Sequence, residues 1–307
     1  MMAALQKDSE VAHPLIESTD IEQTLKSTAP LKIDILLLGE TGTGKDTLAQ
    51  QIHRLSGRQG NFVAVNCAAI PESLAEGQLF GVNSGAYTGA VQSRAGFIEA
   101  AHLGTLYLDE VDSMPLSLQA KLLRVLESRG VERLGSTRFI PVDMRVIASA
   151  QQSLGDMVER GTFRRDLYYR LNVVSINLTP LRDRQERIIP LFLSMVRQEA
   201  EHFNYTAPTP SGALIQQLLC HTWLGNIREL RSAAKRFVLG LTPLCEPAGD
   251  ENSQSLRGRL QQIEKTLIEA ALKRHDYCVE RAALELGTSK RTLYYRLKHL
   301  NILRCLD

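Results

Sequence analysis

Residues 33 to 55 narrow the possible folds more than any other stretch. Ile33-Asp34-Ile35-Leu36-Leu37-Leu38 reads as a buried strand that runs into Gly39-Glu40-Thr41-Gly42-Thr43-Gly44-Lys45, and Asp46 to Leu55 then has helical spacing. A strand, a glycine loop, a lysine and a helix in that order form a P-loop, which calls for an α/β fold with a parallel sheet. The glycines let backbone N–H groups turn inward around phosphates, the helix N-terminus adds its positive end, and Lys45 reaches the β- and γ-phosphates.

One position departs from the general pattern, because Asp46 stands where Ser or Thr would hold magnesium. Thr47 lies one helical step on and is expected to point elsewhere. Either Asp46 helps hold the metal through water, or magnesium relies on carboxylates from another strand. Thr105-Leu106-Tyr107-Leu108-Asp109-Glu110 supplies such a strand, an apolar run ending in two acids. Asp109 would hold magnesium and Glu110 would polarise the attacking water. An acidic pair after a strand is alone only a helix N-terminus signal. Beside the loop at 39 to 45 it reads as a Walker B element.

Between these two, Phe62 to Asn66 reads as a strand, with Asn66 at the carboxyl end where α/β sheets place functional groups. Pro71 to Phe80 and Arg94 to Ala101 read as helices. The hexad Gly85-Ala86-Tyr87-Thr88-Gly89-Ala90 separates them. Two glycines and two alanines have little area to bury, so the hexad reads as a projecting loop with Tyr87 and Thr88 at its tip. Composition alone makes it a glycine-rich surface turn. Its place between strands that flank the phosphates would let it respond to nucleotide.

Downstream, Met144 to Ser149 and Val173 to Leu178 read as the last strands, and helices follow at Arg187 to Phe203, Gly212 to Cys220 and Asn226 to Leu239. Trp223 reads as a packing residue. Thr242 to Ser255 is rich in Pro, Gly, Asp and Ser, a linker composition. Beyond it, Leu260, Ile263, Leu267 and Ala271 form one helical stripe, and Val279, Ala282, Ala283 and Leu286 a second. Gly287 ends that helix, Ser289 can cap the next, and Leu293, Leu297 and Leu300 continue it. This is a helix-turn-helix pattern. Lys290, Arg291 and Arg296 would reach phosphates or base edges, with Tyr294 or Tyr295 adding contacts. A helical dimerisation hairpin with a solvated basic face is the competing reading.

Charge separates the two parts. The chain carries a net +2, but residues from Glu251 onward hold eleven Lys/Arg against seven Asp/Glu, so the tail is basic and the body mildly acidic. Five cysteines, Cys67, Cys220, Cys245, Cys278 and Cys305, show no CxxC spacing, which argues against a disulfide framework or zinc site and for reduced thiols in the cytoplasm. No apolar run is long enough to span a bilayer, so no membrane partner is expected.

GETGTGKD, VNCAAIPESL, GAYTGA, GTLYLDE and MPLSLQAKLLRVLE, followed by FRRDLYYRLNV and W-x-GNIREL, resemble in this order the AAA+ domain of sigma-54-dependent transcriptional activators, over roughly residues 30 to 240. The family hexad is GAFTGA, with Tyr87 here for its phenylalanine. The resemblance implies ATP and Mg2+ as cofactors, and a nucleotide site made by Gly39, Glu40, Thr41, Gly42, Thr43, Gly44, Lys45, Asp46, Thr47 and the lid sensor Arg228. Asp109 is then the metal residue and Glu110 the catalytic one. Asn66 resembles the partner that restrains the catalytic glutamate. Arg164 and Arg170 match arginine fingers that act in a neighbouring subunit, which implies a hexameric ring. Gly85, Ala86, Tyr87, Thr88, Gly89 and Ala90 would contact sigma-54. Further departures from the family are Ser149-Ala150-Gln151 for Ala-Thr-Asn, Gln78 for a glutamate and Leu224 for a proline.

The tail resembles the Fis-type DNA-binding domain of the same family, which decides for DNA over the hairpin. The implied DNA contacts are Ser289, Lys290, Arg291, Thr292, Tyr294, Tyr295, Arg296 and Lys298. The resulting division is a tail at 1–29, an AAA+ core at 30–180, a helical lid at 181–241, a linker at 242–256 and the helix-turn-helix at 257–307. About 30 residues ahead of the core are too few for the receiver domain most members carry. In this the chain resembles the HrpS and HrpR subgroup, which drives type III secretion genes in plant-associated bacteria. The implied partners are sigma-54 RNA polymerase holoenzyme, enhancer DNA, like or paralogous ring subunits, and an inhibitory or co-activator protein acting in trans. A generic AAA+ remodelling ATPase and a DNA-binding regulator with a non-hydrolytic nucleotide switch are the rival readings.

Overall fold

The structure, a computed structural model, describes residues 25, 28–86, 92–244 and 264–299, apart from 265–266, 269, 273 and 276. Two compact units result, one of Met1–Pro208 with Trp223–Gly240 and one of Thr209–Thr222 with Leu241–Asp307.

The first unit is built on five parallel strands: β1 (Ile35–Leu38), β2 (Phe62–Asn66), β3 (Thr105–Asp109), β6 (Arg145–Ala150) and β7 (Val174–Asn177), in the order β2-β3-β6-β1-β7. Successive side chains on a strand face opposite sides, and here both sides are apolar. Leu36, Leu106, Leu108, Val146 and Ala148 enter one core; Ile35, Leu37, Tyr107 and Ile147 enter the other. The first core is covered by α2 (Glu72–Phe80), α3 (Phe97–Ala100), α4 (Leu116–Ser128), α5 (Leu154–Glu159) and α6 (Arg165–Leu171), and the second by α1 (Lys45–Leu55).

Two features were not legible in the sequence pattern. Gly130–Glu132 and Phe139–Pro141 pair antiparallel as β4 and β5. The helix expected at Arg94 to Ala101 shortens to α3, because Arg94 pairs with Val82 in an isolated bridge.

A buried polar network fastens the start of β1. Arg145 donates to the carbonyls of Thr28, Ala29 and Ile33, and Asp34 accepts from Val146 N at 2.9 Å. Beyond β7, the lid pair α7 (Gln185–Phe203) and α9 (Asn226–Val238) packs through Phe192 and Phe237, whose ring centroids are 5.6 Å apart. Trp223, ahead of α9, is fully buried, as its packing role requires.

In the second unit, α8 (Gly212–Cys220) is capped by Ser211. The C-terminal helices α10 (Val279–Glu285) and α11 (Lys290–His299) pack with the helical residues at 264–274 around Ile268, Ala271, Leu272, Val279, Ala282, Leu293 and Leu297. Leu267, expected in the first stripe, is exposed; Ile268 and Leu272 take the core positions instead. Leu260, Ile263 and Leu300 lie outside the described residues.

Candidate functional site

Three strands end at one place. β1 delivers the P-loop, β3 delivers Asp109 and Glu110, and β6 delivers Ser149 to Gln151, with Leu38 opposite Ala150 and Leu108 opposite Ala148. Parallel sheets bind ligands at such carboxyl ends. Gly42 and Gly44 are left-handed, with φ of 78° and 99°, a region that other residues enter at a steric cost. Gly44 caps α1 with no side chain, leaving first-turn N–H groups for an anion.

Lys45 is buried, and its ammonium donates to Gly39 O at 2.7 Å and Glu40 O at 3.1 Å. Burial draws it below the usual lysine range, and the carboxylates of Asp109 and Asp46 oppose that shift. Thr43 turns its hydroxyl back onto Glu40 O at 2.8 Å.

The acids form a connected set. Tyr107 donates from its hydroxyl to Asp46 Oδ1 at 2.8 Å and lies 3.1 Å from Asp109 Oδ1. Ser149 donates to Asp109 and accepts from Glu110 N at 3.2 Å. Glu110 is itself left-handed at φ 54°, the kind of backbone strain that gathers at functional sites. Gln151 donates to Glu110 Oε1 at 2.6 Å and accepts from Thr41 at 2.7 Å.

Asn66 corrects an expectation. It donates to Asp109 Oδ2 at 3.3 Å rather than to Glu110, because β2 pairs with β3 in a register that sets Asn66 opposite Asp109. The amide on Glu110 is that of Gln151, at the end of β6.

A cavity of about 260 Å³ opens over this set, lined by Thr41, Gly42, Gly44, Lys45, Asp46, Thr47, Asp109, Glu110 and Gln151, and by Arg228 and Arg231 of α9. Thr47 faces it, contrary to the expectation that it points away. Glu40 does not, since its carboxylate is held by Arg182. The sequence pattern does not mark Tyr107, Arg182, Asn226 or Arg231 as site residues; the only signal is that Asn226 lies two positions before Arg228 in the GNIREL run and Arg231 directly follows that run.

Hard carboxylate oxygens from Asp46 and Asp109 beside a glycine cradle fit magnesium arriving with nucleotide phosphates. Among the described residues no group of three or more His, Cys, Asp or Glu forms a metal cage, so phosphate oxygens would complete the shell. A larger cavity, about 390 Å³, near β4 and β5 offers no comparable site. Its cations Lys121, Arg124 and Arg133 are paired with Glu76, Glu132 and Glu99.

Three family descriptions match the chain: the sigma-54 interaction domain over residues 15–177, the AAA+ ATPase lid domain over 182–243, and the bacterial regulatory protein, Fis family, over 259–300. The chain belongs to the sigma-54-dependent activator family. It is 58% identical to the pathogenicity regulator WtsA of Pantoea stewartii subsp. stewartii over 94% of this chain and 90% of WtsA. It is 60% identical to HrpS of Pseudomonas syringae pv. syringae over 90% of this chain and 92% of HrpS. Among solved structures, NtrX from Brucella abortus in complex with ATP superposes with a TM-score of 0.74 at 32% identity, covering 95% of this chain and 69% of NtrX.

The two arginines expected to act as fingers differ in their surroundings. Arg164 is exposed and, among the described residues, pairs with its neighbour Asp166 at 2.7 Å. Arg170 is not available to a neighbouring subunit as expected: it donates to the buried carboxylate of Asp34 at 2.6 Å and to Leu126 O at 3.2 Å. A carboxylate so enclosed requires a paired cation.

Of the hexad expected to contact sigma-54, Gly85 and Ala86 are described and Tyr87, Thr88, Gly89 and Ala90 lie outside the described residues. The loop's stem rests on the β4–β5 arm, where Asn83 N donates to Leu134 O and a Cβ on Gly135 would stand 2.6 Å from Ala86 Cβ.

In the Fis-type unit, Gly287 is left-handed at φ 62° and Ser289 caps α11 by accepting from Thr292 N at 3.1 Å. Ser289 and Thr292 thus serve the cap, their hydroxyls 2.8 Å apart. Lys290 pairs with Glu280 and Arg296 with Glu264, so these two expected DNA contacts are already engaged. Arg291 is exposed with no ion pair among the described residues, and Tyr294 and Tyr295 are exposed. The side chain of Lys298 lies outside the described residues. Among the described residues no helix is long and apolar enough to cross a membrane.

Proposed function

We propose that the chain is a ring-forming ATPase that binds enhancer DNA and remodels sigma-54 RNA polymerase holoenzyme through the hexad at 85 to 90. The observation that carries this is the single cavity shared by Lys45, Asp46, Asp109, Glu110 and Arg228. Backbone amides at the start of α1 and Lys45 hold the phosphates. Glu110, oriented by Gln151, takes the proton of a water that attacks the γ-phosphorus, and the bond to the β-phosphate oxygen breaks, releasing ADP and phosphate. Magnesium, when bound, neutralises charge on the phosphate oxygens. Arg228 approaches the γ-phosphate from the lid.

Arg164 is the finger we assign to a neighbouring subunit, and a hexamer of like or paralogous subunits is the assembly it implies. WtsA and HrpS are pathogenicity regulators, which supports type III secretion promoters as the targets, a cytoplasmic location, and control by an inhibitory or co-activator protein.

In vitro transcription with purified chain, sigma-54 holoenzyme, ATP and Mg2+ tests the reading. Thr88→Ala is expected to keep ATP turnover and DNA binding and lose open-complex formation; normal activation by this variant would remove the hexad assignment. ATP turnover at background, unchanged by Glu110→Gln, would instead establish a non-hydrolytic switch.

A further inference from the structure

Asn226 opens α9 from inside the protein. It is fully buried and left-handed, with φ 51°. Nδ2 donates to Glu40 Oε2 at 3.2 Å and to Thr41 O at 3.0 Å, while Oδ1 accepts from Leu181 N at 2.8 Å. Both donors and the acceptor of this amide are therefore committed. Ile227 N extends the seam to Gly42 O at 2.9 Å. On the far side, Arg182 grips both carboxylate oxygens of Glu40.

Gly42 lets the two backbones meet, since a Cβ there would stand 2.3 Å from Gly225 O and 3.1 Å from Arg228 Cβ. A trans peptide is planar, with its C=O and N–H pointing in opposite directions. With Thr41 O and Gly42 O both turned to α9, the N–H groups of Gly42 and Thr43 are turned away from it. The lid thus sets the aim of P-loop amides as well as the place of Arg228.

We propose that Asn226, with Glu40 and Arg182, is a positioning joint through which the lid shapes the phosphate cradle, so that discrimination between nucleoside triphosphate and diphosphate depends on a residue that touches neither. The proposal rests on the nucleotide-binding reading above. Asn226→Asp isolates it: the substitution keeps size and the acceptor for Leu181 N, removes both donors, and sets a second carboxylate against Glu40.

The experiment measures, on the full chain with Mg2+, the dissociation constants of fluorescent ADP and of a fluorescent non-hydrolysable ATP analogue, alongside urea unfolding. Asn226→Asp is expected to shift the ratio of the two constants by about tenfold, the scale of a hydrogen bond to a charged group. Adding Glu40→Gln, which removes the repulsion and supplies a donor, is expected to restore part of the shift. A merely structural role would alter unfolding without moving the ratio. An unchanged ratio in a cooperatively folded Asn226→Asp chain overturns the joint. Should that variant fail to fold, Arg182→Lys, which keeps the charge and loses the two-point grip, decides in its place: a shifted ratio supports the joint and an unchanged one overturns it. Binding of neither nucleotide by the wild-type chain overturns the nucleotide-binding reading, and the joint with it.

Discussion

Gln151 holds Glu110 by a 2.6 Å hydrogen bond from its side-chain amide, and its oxygen accepts from Thr41 at 2.7 Å, so the carboxylate we assign to water activation is tied to the glycine loop we assign to phosphate. Asn66 serves the other acid, Asp109, at 3.3 Å. The two amides are expected to separate kinetically. Gln151→Ala lowers kcat by about tenfold with little change in the Mg2+ needed for half-maximal turnover, because it leaves Glu110 unoriented. Asn66→Ala raises that Mg2+ requirement by about tenfold, because it removes a donor that orients Asp109. Steady-state turnover across a Mg2+ series measures both.

The two arginine positions are expected to fail differently. Arg170→Ala leaves the Asp34 carboxylate, whose side chain is only 2% exposed, with Val146 N and the more distant Arg129 guanidinium at 3.9 Å, and the loss of stability is expected to reach at most about 3 kcal/mol by urea unfolding, the lower end of the scale for breaking a buried pair. Arg164→Ala removes a solvent-screened exposed pair, so the chain unfolds almost as before. Turnover by the assembled protein falls in that variant by about a thousandfold or more.

Thiol reactivity follows burial. Desolvation, reinforced by Asp109, pushes the Cys67 thiol up to about 12, whereas Cys220 is exposed. A thiolate is the reactive species, so iodoacetamide at neutral pH labels Cys220 readily and Cys67 only after unfolding. Peptide mass mapping at successive times measures the order, and early labelling of Cys67 in the folded chain would contradict its placement.

Acid reports on the lid joint. The hydrogen bond from Arg182 holds the Glu40 carboxyl down from its ordinary 4.5 to about 2. A depressed carboxylate contributes stability that is full above its unfolded value and is lost as pH falls through the folded one. The difference in Tm between wild type and Glu40→Gln is therefore expected to stay level from neutral pH down to about 4.5 and to close between 4.5 and about 2. Calorimetry across that range measures it.

On α11, Arg291 is the exposed cation that no acid engages among the described residues, whereas Lys290 is paired with Glu280. Arg291→Ala is expected to weaken enhancer binding by about 1–3 kcal/mol with relaxed specificity if it reads a base, or to lower the salt slope by about one if it meets a phosphate. Gel-shift titration at two salt concentrations separates the two, and unchanged binding would displace the recognition helix.

Local sequence decided the elements that chemistry needs. A glycine loop between strand and helix can cradle phosphate wherever it occurs, an apolar run ending in Asp109 and Glu110 puts acids at a strand's carboxyl end, and Gly287 with Ser289 ends one helix and caps the next. These signals act over a few residues, so they are readable without the fold. The tertiary structure decided which partner each of these polar side chains meets. Asn66 goes to Asp109 because of the β2–β3 register, Arg170 to Asp34 across 136 positions, and Asn226 to Glu40 across 186. A hydrogen bond reaches only about 3 Å between donor and acceptor, so each partner follows from strand order and lid placement, and neither is written in neighbouring residues.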